Sequence, residues 1–167
     1  MLFRSQASAY ISAGTIPKAI GNAHPSIAPY QVFDAKDKKF IVAVGSDLQF
    51  IKFAGVISPE LIGDNRFSTN QLRVQNREEL NNKLSAIFST KSAEHWIHTL
   101  GKVNIPAGAI NNIKEAFDLA QSLGLNSIVE IGGVKSVANP ITFSKTPVEY
   151  RSDRKSTRLN SSHIPLS

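Results

Sequence analysis

Hydrophobic positions are densest at residues 40–44, FIVAV, where both alternating faces are apolar. That pattern suits a strand covered on both sides and puts the centre of the core here. Residues 30–34, YQVFD, are rich in β-formers but half polar, so they are expected to pair antiparallel with that strand across residues 35–39. A helix over 48–56 follows, capped by Ser46 or Asp47. Only Gln49 and Lys52 interrupt its apolar run, which predicts burial on most sides. Ser58-Pro59-Glu60 opens a short helical turn ending near Gly63, with proline in the first helical position. From Thr69 or Asn70 to about Ser89 the spacing predicts one long helix. Leu80, Leu84, Ile87 and Phe88 form its inner stripe, and Glu79 lies four before Lys83 outside. A shorter helix over 93–100 brings Ala93, Trp96, Ile97 and Leu100 together and stops at Gly101.

The flanks are less strongly patterned. Residues 6–13 are helix-compatible and stop at Gly14, which reads as the last turns of a helix whose beginning is missing, before an extended linker from Pro17. After IPAGAI, an extended segment around Pro106 and Gly108, residues 113–123 are helical and 127–131 strand-like. Gly132-Gly133, between IVEI and VKSV, is a hairpin turn. Helices and antiparallel strands together give an α+β class. The core is expected to centre on Phe40, Val42, Val44, Ile51, Leu80, Leu84, Ile87, Trp96 and Ile97.

At 167 residues with 41% hydrophobic and 19% charged positions, the chain can bury one real core. No apolar run approaches the roughly 20 residues that span a bilayer, so no membrane partner is expected. With no cysteine, disulfides and thiolate metal sites are excluded. The net charge of +6 suggests nucleic acid until the charges are located. Much of the excess sits at the ends. Residues 153–163, DRKSTRLNSSH, read as the translation of a common DNA-sequencing adapter, and residues 1–5, MLFRS, as that of the reverse complement of its opening. The expectation is a single genomic insert over about 6–152, flanked by an adapter-like scar at 1–5 and an adapter-like tail over 151–167. Setting aside 1–5 and 153–167 removes Arg4, Arg154, Lys155, Arg158 and Asp153, which halves the net charge and with it the case for nucleic acid.

Candidate chemistry is sparse. His95 and His98, three apart on the polar side of a helix, lack the third ligand that a zinc site needs, so they are expected to be solvated and no metal is assigned. Asp34, Asp37, Asp47, Glu60 and Asp64 fall on turns and caps, where they have structural work. Gly45-Ser46-Asp47 is too short for a phosphate loop and lacks its lysine, so it reads as a helix cap. His24, beside Pro25 in the polar loop before the strands, is the histidine best placed to meet a ligand. Its alternative role is to fix the loop backbone through a hydrogen bond.

The runs IPKAIGNAHPSIAPYQVF, FIVAVGSDLQF, ELIGDNRFSTNQLRVQNREEL and IPAGAINNI resemble the C-terminal half of a class III CoA-transferase of the formyl-CoA and dicarboxylate-CoA transferase type. The resemblance covers about residues 6–151 and rests on the ordered blocks GNxHPxIxPYQ, VGxDxQF, DxRFxTNxxRVxNR and IPxGxIN. It implies that 6–20 end a helix and linker from a larger domain, that 21–112 form the family's small α+β domain, and that 113–150 return toward the large α/β domain.

It also implies an activity: CoA passes between an acyl-CoA thioester and a carboxylic acid, possibly succinyl-CoA and a dicarboxylate, through an aspartyl-CoA intermediate. No residue here matches the nucleophilic aspartate, which is expected upstream, so no catalytic residue is assigned and the chain alone is expected to be inactive. The substrate-site loop by resemblance contains Gly21, Asn22, His24, Pro25, Ser26 and Gln31. The family's glycine run is absent from it, residues 35–39 lack the usual Asp-Gly turn, and the helix after Asn112 lacks Asp-Pro-Gln. The expected partners are an acyl-CoA and a carboxylic acid acceptor, with coenzyme A thioester as substrate and no tightly bound cofactor. The intact enzyme is expected to be a cytoplasmic homodimer, or mitochondrial in a eukaryote. The alternatives are an acyl-CoA racemase of the same family and a non-catalytic interaction domain.

Overall fold

The computed structural model describes residues 2–14, 16 and 18–151. The expected tail over 153–167 and the linker position Pro17 lie outside the described residues. Helix α1, Leu2–Ala13, ends where Gly14 turns to a positive φ and donates its N–H to Tyr10 O at 2.8 Å. The helix begins ahead of residue 6, within the segment read as a scar.

Strands β1, Tyr30–Asp34, and β2, Lys39–Ala43, pair antiparallel with Phe33 opposite Phe40. Phe40, Val42 and Val44 have no exposed surface. The other face of β2 is only half covered, since Ile41 and Ala43 keep partial exposure.

Ser46 caps α2, Asp47–Ile57, by accepting the Gln49 N–H. Burial on most sides does not hold. Phe50, Phe53 and Ala54 face the core, whereas Leu48 is 75% and Ile51 50% exposed. Ile51 therefore leaves the expected core, because a helix packed on one side buries one stripe whatever residues fill the other.

Two short 3-10 helices, Pro59–Leu61 and Asn65–Phe67, bury Leu61 and Phe67. The long helix expected over 69–89 is two: α3, Asn70–Gln75, capped by the Thr69 hydroxyl, and α4, Arg77–Phe88. Between them Asn76 leaves helical geometry at φ −102°, ψ 30°. Its side chain donates to Leu72 O and Arg66 O, so the break is held by side-chain hydrogen bonds that hydrophobic spacing does not report.

Helix α5, Ala93–Gly101, is capped by Ser92. It packs on α2 and on β3, Ala107–Ala109, which joins β2 antiparallel and completes a three-stranded sheet in the order β1-β2-β3. IPAGAI is extended, as expected, and its residues Ala107–Ala109 also pair with β2, which the sequence does not signal. Three residues with small side chains carry no strand periodicity. Phe88 sits at the middle of the core, its ring 5.1 Å from Phe33, 5.0 Å from Phe40 and 5.4 Å from Trp96. Ile87 and Ile97 pack against this cluster at its margin rather than within it.

The chain separates into two compact units, Met1–Ile110 and Asn111–Ser167. The second holds α6, Ile113–Ser122, opened by a capping box between Asn112 and Glu115, and the hairpin of β4, Ile128–Ile131, and β5, Val134–Val137. Gly132 and Gly133 both take positive φ, 58° and 82°, as a two-residue hairpin turn requires. Between 111 and 151 no residue is buried.

Candidate functional site

The loop over 21–31 has almost no secondary structure of its own, and its shape comes from side chains. His24 Nδ1 accepts the Ser26 N–H at 3.1 Å, its backbone N–H donates to Tyr30 O at 2.9 Å, and its ring stacks on Tyr30 with centroids 5.3 Å apart. The backbone-fixing role is thus realised, and the half-exposed ring is engaged with the loop itself. Asn22 Oδ1 accepts the Val32 N–H at 3.0 Å, which closes the loop onto β1. The Ala28–Pro29 peptide bond is cis.

Helices α3 and α4 hold the loop from the other side. Asn70 donates from Nδ2 to Ser26 O at 2.8 Å and accepts the Ala28 N–H on Oδ1 at 3.2 Å. Arg73, with no exposed surface, donates from Nε to Ala28 O at 2.8 Å, from Nη1 to Phe67 O at 3.0 Å and from Nη2 to Asp47 Oδ1 at 2.7 Å. Its guanidinium also lies over the Phe50 ring, 4.3 Å from the centroid. Arg77 Nη2 donates to Pro25 O at 3.2 Å and more weakly to Ile27 O. Asn81 Nδ2 donates to Gln31 Oε1 at 3.1 Å.

The block GNAHPSIAPYQ is therefore strapped to the block NQLRVQNR, some forty or more residues on. Asn70, Arg73, Arg77 and Asn81 were missed as site residues. One signal for the arginines was available: extended backward from Leu84 and Leu80 at helical spacing, the buried stripe reaches Arg77 and Arg73. A cation on a core stripe has a buried polar task to perform.

An open groove of about 590 Å³ runs beside the strap, with Gly21, Asn22, Gln31, Arg77, Glu78 and Asn81 among its lining residues. Of the loop residues expected at a site, Gly21, Asn22 and Gln31 are brought together here; His24, Pro25 and Ser26 do not line it. The amides and the guanidinium bind and orient and are not nucleophiles; the one carboxylate among the lining residues, Glu78, is exposed.

Three of the acidic residues, Asp37, Asp47 and Asp64, do structural work. Asp47 also accepts the Asn70 N–H at 2.8 Å. Asp37 accepts the Ala93 N–H at 2.7 Å, a bond that lowers its pKa and ties the β1–β2 turn to α5. Arg66 beside Asp64 holds that carboxyl down to about 2. His95 and His98 are exposed on α5, and among the described residues no cluster of three metal-ligating side chains occurs. No helix among them is long and apolar enough to cross a membrane.

The comparisons with known proteins converge on one class. The model of CoA-transferase family III matches residues 1–154, and the chain belongs to that family. It is 37% identical over 134 residues to the acetyl-CoA:oxalate CoA-transferase of Acetobacter aceti, covering 80% of this chain and 34% of that protein. It is 37% identical over 145 residues to the succinyl-CoA:glutarate CoA-transferase of Mus musculus, covering 83% and 33%. The crystal structure of a CAIB/BAIF family protein from Brucella suis superposes with a TM-score of 0.76 at 34% identity, over 95% of this chain and 44% of that one. The chain spans about a third of the length of the curated relatives it matches.

Proposed function

We propose that this chain is the C-terminal part of a class III CoA-transferase that moves CoA from an acyl-CoA to a carboxylic acid. The observation that carries the reading is the interlock of two sequence blocks, GNAHPSIAPYQ and NQLRVQNR, within a chain that belongs to the family. Two blocks far apart in sequence that meet as loop and strap form one site. The curated relatives described above are CoA-transferases, which favours transfer over racemisation.

The chemistry is covalent catalysis by a carboxylate outside this chain. An upstream aspartate attacks the thioester carbonyl and expels CoA thiolate, giving an acyl-aspartyl anhydride; the thiolate then attacks the aspartyl carbonyl, which releases the donor acid and leaves an aspartyl-CoA thioester. The acceptor carboxylate attacks that thioester and expels the thiolate again, and the thiolate takes the acceptor acyl group from the new anhydride, which frees the aspartate. In this scheme residues 21–31 line the mouth of the site, where Gly21, Asn22 and Gln31 meet substrate and His24, Pro25 and Ser26 keep the loop in shape. Residues 21–112 serve as the small domain and 113–150 return to the large one. The intact enzyme is a cytoplasmic homodimer, or mitochondrial in a eukaryote, with CoA thioester as substrate and no resident cofactor.

The test joins residues 6–151 to their native flanking coding sequence and follows succinyl-CoA or acetyl-CoA consumption with glutarate or oxalate as acceptor. Transfer is expected from the joined enzyme and none from the 167-residue chain, which lacks the nucleophile. Racemisation of a branched acyl-CoA without transfer, or turnover by the chain alone, would overturn the reading.

A further inference from the structure

The segment over 64–81 carries three arginines, and two of them have carboxylate partners. Arg66 is held by Asp64 at 2.6 Å and by Glu79. Arg73 is held by Asp47 at 2.7 Å. Arg77 is different: among the described residues it makes no ion pair. Its Nη2 reaches the Pro25 and Ile27 carbonyls, and its Nη1 is buried with no hydrogen-bond partner. Partial burial with no compensating anion pushes its pKa below the usual guanidinium range, yet a guanidinium remains a cation at neutral pH. A partly desolvated cation with one buried, unpartnered N–H group is better satisfied when an anion comes to it.

The neighbouring amides point the same way. A side-chain amide has one oxygen and one NH₂. Asn22 has committed its oxygen to the Val32 N–H, and Gln31 its oxygen to Asn81 Nδ2. What remains uncommitted on both is the NH₂ end, and both residues line the groove with Arg77. The groove thus offers two amide NH₂ groups and one guanidinium as donors, beside the Glu78 carboxylate and the Gln75 and Asn82 amides. Its buried unpartnered acceptor is Asn81 Oδ1, which a water entering with an ion can satisfy.

We propose that this groove is a subsite for one carboxylate of the acid substrate. Arg77 is its charge partner, Asn22 and Gln31 are its amide donors, and Asn81 is the positioning residue that turns the Gln31 amide with its NH₂ toward the ligand. Calling the ligand a substrate rests on the transferase reading; the affinity for a carboxylate does not. A singly charged carboxylate is favoured over phosphate because, among the described residues, one cation lines the groove and the exposed Glu78 lines it too, so that a more highly charged ion meets more repulsion.

The test is binding to the 167-residue chain, read from the side-chain NH₂ signals of Asn22 and Gln31 in a ¹⁵N–¹H correlation spectrum titrated with glutarate, inorganic phosphate or neutral glutaramide. Saturable shifts of both signals are expected with glutarate, weaker ones with phosphate and none with glutaramide. Arg77→Gln should weaken glutarate at least tenfold, and Gln31→Met about threefold. Asn81→Leu should abolish the Gln31 shift while leaving that of Asn22. Should Arg77→Gln fail to fold, Gln31→Met and Asn81→Leu still decide. Glutaramide binding as well as glutarate, phosphate binding more tightly than glutarate, or folded variants that bind like the parent would each overturn the proposal. Carboxylate binding without CoA transfer by the joined enzyme would instead sink the transferase reading and leave this subsite standing.

Discussion

Arg73 concentrates the physics of this chain in one side chain. A fully buried guanidinium is tolerated because all three of its donor nitrogens have partners and an aromatic face lies beneath it. Substitution by methionine keeps the bulk but leaves the Ala28 and Phe67 carbonyls without their donor and Asp47 without its cation. Arg73→Met is therefore expected to cost about 3 kcal/mol or more in urea unfolding, and Arg73→Lys nearly as much, because one ammonium cannot reach three diverging acceptors. A loss below about 1 kcal/mol would mean that the loop finds other partners. Asp64 gives a prediction in pH. Its pKa is depressed to about 2 in the folded state by Arg66, against 3.8 unfolded, so its contribution is fully present above about pH 4 and is lost as pH falls through 2. A plot of Tm against pH should fall less steeply across that window in Asp64→Asn than in the parent.

Among the elements, α2 and α4 make the sharpest contrast, since α2 carries large apolar residues on more than one face and α4 on a single stripe. In α4 the stripe Leu80, Leu84 and Phe88 has no exposed surface. Leu84→Ala should cost about 2–5 kcal/mol, with the spread set by how far the neighbours collapse into the space. In α2, Ile51 is half exposed on the face away from the core, and Ile51→Ser should move the stability of this chain by no more than about 0.5 kcal/mol. Equilibrium denaturation of the two variants side by side checks both. If Ile51→Ser proves as costly as Leu84→Ala, that face of α2 is covered in solution.

Across the whole molecule the two units differ in kind. The first has a sealed aromatic core under a three-stranded sheet. The second has an amphipathic helix and a two-stranded hairpin with no buried residue between 111 and 151, and a lone hairpin is marginal in water. Hydrogen exchange should accordingly be at least a hundredfold slower at the amides paired between β1 and β2 than at those between β4 and β5. Equal protection in both would show that the second unit has found a partner surface.

What the sequence determined by itself is local: the two strands of the first hairpin, the helix starts at Ser46 or Asp47 and at Thr69 or Asn70, the stop at Gly14 and the Gly132-Gly133 turn. Each follows from a few adjacent residues whose backbone and side-chain preferences agree, which is why they could be read without a fold. The blocks of the site were legible as blocks too, through their resemblance to a family. The tertiary structure decided the rest. It broke the helix at Asn76, turned Ile51 outward, gave β3 its partner and made Asn70, Arg73, Arg77 and Asn81 the supports of a loop more than forty residues earlier. Those outcomes depend on where a buried polar group finds its hydrogen bond. A donor and an acceptor that far apart in sequence meet only once the apolar core has fixed the frame between them.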